Sequence, residues 1–302
     1  MNGTPPSVAL PELPVEVYRS HWRPACEERA FMLHAVGIES QVLTNGAQWS
    51  LFVAPAAVDA AVRHLRTYER ENPPRRRVLR PEGTHPHAWV APLAYGLVVL
   101  GVAWLAGHRA GAFDWFDAGV LDTAAFRAGE AWRAVTALTL HFDVAHLLGN
   151  LGFGALFGWL AAQLLGPGIA FGAGALAAVA ANALNASFQP AGHVSAGAST
   201  AVFAMLGLLA CYAWRRRADQ GERWAYRWGP LIAGVCLLAF TGVGGERTDV
   251  LAHLTGFVVG GLAGFLLALR RRPAAAFGQW LAGLGTIALV VVAWIAALRA
   301  AG

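Results

Sequence analysis

The stretch VLAHLTGFVVGGLAGFLLALRRR, residues 250–272, decides the fold of this chain. From Val250 to Leu269 it carries no Asp, Glu, Lys or Arg, and about 20 such residues cross a bilayer as one helix. Gly256, Gly260 and Gly264 recur every four residues, so they share one helix face on which another backbone can approach closely. His253 lies in the same stretch, where an ionisable group needs a partner, a water-filled cavity or a function. Arg270, Arg271 and Arg272 close the segment and mark its cytoplasmic end by the positive-inside rule.

Outward from this span the rest of the chain has the same character. Of the 302 residues 56% are hydrophobic and 14% charged, with a mean hydropathy of +0.46; a soluble domain carries about 25% charged residues. Apolar stretches of spanning length lie at 88–107, 139–163, 167–188, 194–214, 228–245, 250–269 and 277–298, which predicts seven spans, the fifth the weakest. Residues 107–133 interleave Trp115, Phe116, Phe126 and Trp132 with Asp114, Asp117, Asp122, Arg127, Glu130 and Arg133, the pattern of a segment lying along the interface. Arginine clusters precede the first span, follow the fourth at Arg215–Arg217 and follow the sixth. All three fall on the cytoplasmic side when the amino terminus is inside. They are expected to set topology and to touch anionic headgroups, with no nucleic-acid partner.

Residues 1–80 read as a small cytoplasmic α+β unit with a basic linker. A helix from about Pro24 to Val36 stops at Gly37, Asn45-Gly46 signals a hairpin, and Val58, Ala61, Val62, Leu65 and Tyr68 recur at helical spacing before Pro73 and Pro74. The first 25 residues lack the apolar core of a cleavable signal peptide. Cys26, Cys211 and Cys236 form no paired or metal-type spacing and predict neither a disulfide framework nor a zinc site.

Two more polar sets interrupt the apolar stretches: His146 with Asn150, and Gly197-Ala198-Ser199. His146 and Asn150 are four apart and share a helix face. Ser199 precedes Arg215 by 16 residues and His253 precedes Arg270 by 17. At about 1.5 Å per residue both lie roughly 24–26 Å above the cytoplasmic boundary, in the outer leaflet. The two helices run in the same direction, and Gly197, Ala201, Ala204 and Gly207 offer a small-residue surface to the glycine face of span six. The chemistry that suits the set is a serine nucleophile, a histidine base and a polar pair stabilising an oxyanion. Span six holds no Asp or Glu to orient the imidazole. His193 and Asp143, near the outer surface, are expected to be solvated or to order loops rather than to act as catalysts. His141 stands five residues before His146, off the four-residue face of a helical zinc pair, and HExxH is absent, so no metal is expected.

Trp132-Arg133 in the first outer loop, His141 followed by His146 and Asn150, Gly197-Ala198-Ser199, and His253 with Gly256 and Gly260 together resemble the rhomboid intramembrane serine proteases. The resemblance covers about residues 88–270. It implies an all-α polytopic core of six transmembrane helices at 88–270, an additional helix at 277–298 and the preceding α+β domain. It also implies a Ser199/His253 dyad, an oxyanion hole of His146, Asn150 and the Ser199 backbone N–H, and structural roles for Gly197, Gly256, Gly260, Trp132, Arg133 and His141. The partners expected are the lipid bilayer and transmembrane protein substrates, with no cofactor. The expected location is a bacterial inner membrane with the amino terminus cytoplasmic.

The family usually carries Gly-x-Ser-Gly, whereas here Thr200 follows Ser199 and sets a branched side chain beside the nucleophile. Thr200 is the feature that favours a catalytically weak or silent relative that binds transmembrane clients. A small-solute transporter is disfavoured because the spans show neither inverted repeats nor a matching pair of broken helices.

Overall fold

The computed structural model describes residues 13–72, 85–219, 224–241, 248–270 and 275–302. The chain divides into two compact units, 1–78 and 79–302.

The first unit runs β1 (Val15–Ser20), α1 (Arg23–Ala35), β2 (Ser40–Thr44), β3 (Trp49–Val53) and α2 (Val58–Glu71). Its antiparallel sheet has the order β1-β3-β2. Pro24 occupies the first turn of α1, where its missing N–H is harmless, and Gly37 at φ +78° turns the chain out of the helix. The β2–β3 turn is closed by the Asn45 side chain, which accepts from the N–H groups of Ala47 and Gln48. One face of α2 buries Ala61 and Leu65 against Leu33, Leu51 and Val53.

The second unit is helical: α3 (Val90–Gly107), three short helices α4 (Trp115–Gly119), α5 (Thr123–Arg127) and α6 (Arg133–Thr136), then α7 (Val144–Leu165), α8 (Pro167–Phe188), α9 (Ser199–Asp219), α10 (Trp224–Thr241), α11 (Val250–Ala268) and α12 (Ala276–Ala301). Among the described residues, α3, α7, α8, α11 and α12 are long and apolar enough to cross a membrane by length and composition. The chain is a multi-pass membrane protein. The helices α9 and α10 fall outside that group: α9 ends in the arginines, and α10 has 18 residues interrupted by Pro230.

Two spans start five residues after their sequence limits, for local reasons. The second starts at Val144 rather than 139, because Asp143 caps it by accepting the His146 N–H at 2.8 Å. The fourth starts at Ser199 rather than 194. Before it, Val194–Ser195 (β5) pairs with Leu121–Asp122 (β4), and Gly197 at φ +141° cannot continue a helix. The fifth covers 224–241, and the end expected at 242–245 lies outside the described residues.

The segment before α7 is tied by partly buried polar contacts. Arg133 donates to the Asp117 and Val120 carbonyls at 2.9 and 2.7 Å and pairs with Glu130 at 2.6 Å. Trp132 packs on the cluster of Val102, Val120, Leu140, Ala196, Trp294 and Ala297. α12 lies along α8, and Gln279 bridges the α7–α8 turn: its amide donates to the Leu165 carbonyl at 2.7 Å and its oxygen accepts from the Ile169 N–H at 3.0 Å.

α9 and α11 form the closest helix pair. A Cβ on Gly256 would stand 2.6 Å from the Thr200 carbonyl oxygen; one on Gly260 would overlap the Ala204 carbonyl, and one on Gly264 that of Leu208. In return, Gly207 lies against the Phe257 carbonyl. The partners advance by four residues on both helices, so the pair is parallel and in register. Gly197, proposed on sequence grounds as part of the surface facing α11, instead lies against His146.

Candidate active site

The register of α9 and α11 fixes the heights of Ser199 and His253. With Gly256 beside Thr200, the three-residue step back along α11 sets His253 about 3 Å along the axis beyond Ser199, at the start of α9. The lateral position comes from Phe203, one turn after Ser199 on the same face of α9. The His253 ring lies over it with centroids 4.4 Å apart and an interplanar angle of 34°. His253 is buried at 7% exposure, as is Thr200 at 3%, while Ser199 is partly open.

Ser199 opens its helix, so no preceding turn of α9 offers its hydroxyl a carbonyl. The N–H of Val202 is bonded to the Ala198 carbonyl at 2.9 Å, and the N–H groups ahead of it lack acceptors within the helix. The positive end of the helix dipole is directed at the same place.

His146 approaches from α7. A Cβ on Gly197 would lie 2.6 Å from Cε1 and 2.7 Å from Nε2 of His146 and 3.5 Å from Oγ of Ser199. Imidazole and hydroxyl thus flank one point that only a glycine leaves open. Asn150, one turn further along the His146 face, is 6% exposed, and its Nδ2 has no partner among the described residues. Its backbone carbonyl is held by the Tyr95 hydroxyl at 2.9 Å. A buried amide donor without an acceptor is costly, and a transient oxyanion would satisfy it.

His141 sits in the turn before α7, its ring 5.2 Å from that of His146 and nearly perpendicular to it. Its Nε2 accepts the Ala198 N–H at 3.3 Å, which requires the neutral ring with the proton on Nδ1. Burial, assisted by the neighbouring His146, lowers its pKa to about 4 and keeps it in that form. The backbone ahead of Ser199 is held further by the bond from the Gly197 N–H to the Ala137 carbonyl at 2.9 Å.

At the opposite wall, Asp249 caps α11 by accepting from the Ala252 N–H at 3.0 Å. It also accepts from Asn185 at 2.7 Å, Gln189 at 3.2 Å and His193 at 2.9 Å. Burial alone would raise its pKa, but the hydrogen bonds from Ala252, His193 and Asn185 outweigh it and keep the carboxylate ionised. Sequence reasoning gave Asp249 no role; the available signal was an Asp directly before an apolar helix, which marks a cap and nothing more. His193, expected to be solvated or to order a loop, is partly exposed and bonded to this carboxylate.

Among the described residues no group of three or more His, Cys, Asp or Glu is arranged to hold a metal. An apolar cavity of about 790 Å³ between α3, α8 and α12 has Thr139 and Ala198 in its wall. Ser199, His253, His146 and Asn150 do not line it, so the polar convergence and not the cavity locates the site.

The helices that supply these groups coincide with a recognised domain: a protein-family model described as Rhomboid domain matches residues 128–270. The chain carries a rhomboid domain. The match takes in α6 to α11 and leaves α3 and α12 outside. Rhomboid-like protease 2 of Toxoplasma gondii is 34% identical over 149 residues, which are 47% of this chain and 49% of that protein. The chain thus spans about half the length of this curated relative.

Proposed function

We propose that the rhomboid domain is an intramembrane serine protease that hydrolyses peptide bonds in or near transmembrane segments of other membrane proteins. Its support is the convergence at Gly197, where the His146 ring and the Ser199 hydroxyl flank one point at the start of α9. The name of the Toxoplasma relative agrees with a protease.

In this reading His253 takes the proton of Ser199 as the hydroxyl attacks the carbonyl carbon, and the tetrahedral oxyanion is met by His146, Asn150 and the Ser199 N–H. His253 then passes the proton to the leaving amine, an acyl-enzyme remains, and water deprotonated by the same imidazole hydrolyses it. Phe203 beneath the ring supplies orientation that a third carboxylate gives elsewhere. The spans are proposed as seven, six of them the rhomboid core, with the amino terminus cytoplasmic in a bacterial inner membrane.

The test is labelling of purified protein by a serine-directed fluorophosphonate together with cleavage of a model transmembrane substrate. Wild type should react in both assays, and Ser199→Ala and His253→Ala should be silent in both while remaining folded. Cleavage that survives Ser199→Ala removes the nucleophile assignment. A folded wild type inert in both assays supports instead the reading of a client-binding relative, to which the buried Thr200 beside Ser199 points.

A further inference from the structure

Ser199 and His253 reside on separate helices, and the chain segments leading into those helices meet at one side chain. Asp249 precedes His253 by one helical turn, and the His253 N–H is bonded to its carbonyl at 3.1 Å. Its carboxylate, 12% exposed, uses both oxygens twice. Oδ1 accepts from Ala252 in α11 and from Gln189 at the end of α8; Oδ2 accepts from Asn185 in the last turn of α8 and from His193. An ionised carboxylate only accepts, so Nε2 of His193 carries the proton it shares.

His193 belongs to the segment that delivers Ser199. Its carbonyl accepts the Thr123 N–H at 3.1 Å, the next two residues form β5 against β4, and Gly197 and Ala198 are then held by Ala137 and His141. Between Asp249 and the nucleophile there is therefore an unbroken run of fixed backbone. Between Asp249 and the base there is a single turn of helix.

We infer that Asp249 is a positioning residue that clamps the segment carrying the nucleophile to the start of the helix carrying the base. The inference rests on the Ser199/His253 reading for its catalytic meaning, while the clamp itself is a statement about residues 185–199 and 249–253. Four hydrogen bonds converge on one largely shielded carboxylate from three chain segments, whereas capping α11 needs only the bond from Ala252. The surplus of three is what joins α8 and the 189–198 segment to α11. A displacement of about 1 Å between nucleophile and base lowers rate on the order of 100-fold with little effect on binding, so the clamp acts on turnover.

Asp249→Ser separates the two roles, because serine caps a helix well yet is too short to reach Asn185, Gln189 and His193. His193→Ala opens the same clamp without touching the cap. Each variant should keep KM within about twofold of wild type and lose roughly 10- to 100-fold in kcat per folded enzyme. The double variant should be no worse than either single one, as for two halves of one contact. Hydrogen exchange in lipid nanodiscs should show faster exchange of the 193–198 amides in both variants, with the 253–260 amides unchanged in Asp249→Ser. Unchanged kcat per folded enzyme in both single variants, or losses that multiply in the double variant, would overturn the positioning role. If wild type neither labels nor cleaves, the dyad reading fails and exchange decides the clamp: equal exchange of 193–198 in wild type and Asp249→Ser refutes it.

Discussion

At the scale of single residues, Asn150 shows how an unsatisfied group differs from a structural one. Asn182 is equally buried, but its Nδ2 donates to the Ala134 carbonyl at 3.0 Å; that of Asn150 has no partner among the described residues. Asn150→Ala should therefore lower kcat by about 10- to 1000-fold with KM little changed, since in the proposed mechanism its donor is used in the transition state. Thermal stability should stay near wild type. Asn182→Ala should do the reverse, losing stability because it strands a buried carbonyl; measuring kcat and melting midpoint of both variants checks the contrast. His141 gives a pH dependence. Its pKa in the unfolded chain is near 6.5 and in the folded protein about 4, so the unfolded state binds the extra proton between those values. Stability from this group is complete above about pH 6.5 and falls as pH drops toward 4. His141→Gln, which can still accept the Ala198 N–H, should show a flatter fall in melting midpoint between pH 6.5 and 4.5; parallel curves would disprove the assignment. Of these residues, His146 and Asn150 could be paired from the sequence because four residues is one helical turn. The bond from Ala198 to His141 and the bonds on Asp249 join positions 57 and 56–64 apart, and no local pattern encodes them.

At the scale of elements, the α9–α11 seam is where spacing becomes geometry. The four-residue glycine interval is visible in the chain, as is the small surface containing Ala204 and Gly207. The register was not, since sliding one helix by a turn preserves the interval. Carbonyls of Ala204 and Leu208 fix it by occupying the places of the absent Cβ atoms of Gly260 and Gly264. Gly260→Ala meets backbone, which cannot rotate away, and should cost about 1–3 kcal/mol and lower activity by shifting His253 relative to Ser199. Gly285→Ala, with open space around its Cβ, should be near neutral in both respects. Thermal midpoints and turnover of the two variants provide the comparison, and equal behaviour would show that the seam tolerates a methyl group. The span limits missed by hydropathy have the same origin: Leu140 and Val194 are apolar, but Asp143 starts one helix and the positive φ of Gly197 delays another.

At the scale of the whole helical unit, α12 lies outside the matched domain yet is built into the end of it that carries Ser199. Trp294 is 6% exposed, donates Nε1–H to Oγ1 of Thr139 at 3.1 Å and packs beside Trp115 at 4.8 Å between ring centroids. Thr139 in turn donates to the Thr136 carbonyl at 2.7 Å. Ala137, between those two threonines, accepts the N–H of Gly197. A path of direct contacts therefore runs from α12 through the 136–139 turn to the backbone two residues before Ser199. Hydropathy revealed α12 as a membrane segment but not this connection, because a tryptophan near a helix end reads equally well as an interface anchor. The connection and the anchor predict different results. Trp294→Phe keeps an aromatic ring for the interface but loses the donor to Thr139, leaving a buried hydroxyl with one bond fewer, at a cost of about 0.5–1.5 kcal/mol. Trp294→Ala also empties the space against Gly119 and Leu140, at about 3–5 kcal/mol. Melting midpoints should therefore fall in the order wild type, Trp294→Phe, Trp294→Ala, and kcat per folded enzyme should fall with them as the 136–139 turn loosens beneath Gly197. An interface anchor alone would leave Trp294→Phe at the wild-type midpoint and Trp294→Ala with wild-type turnover, and that pair of results would separate α12 from the site.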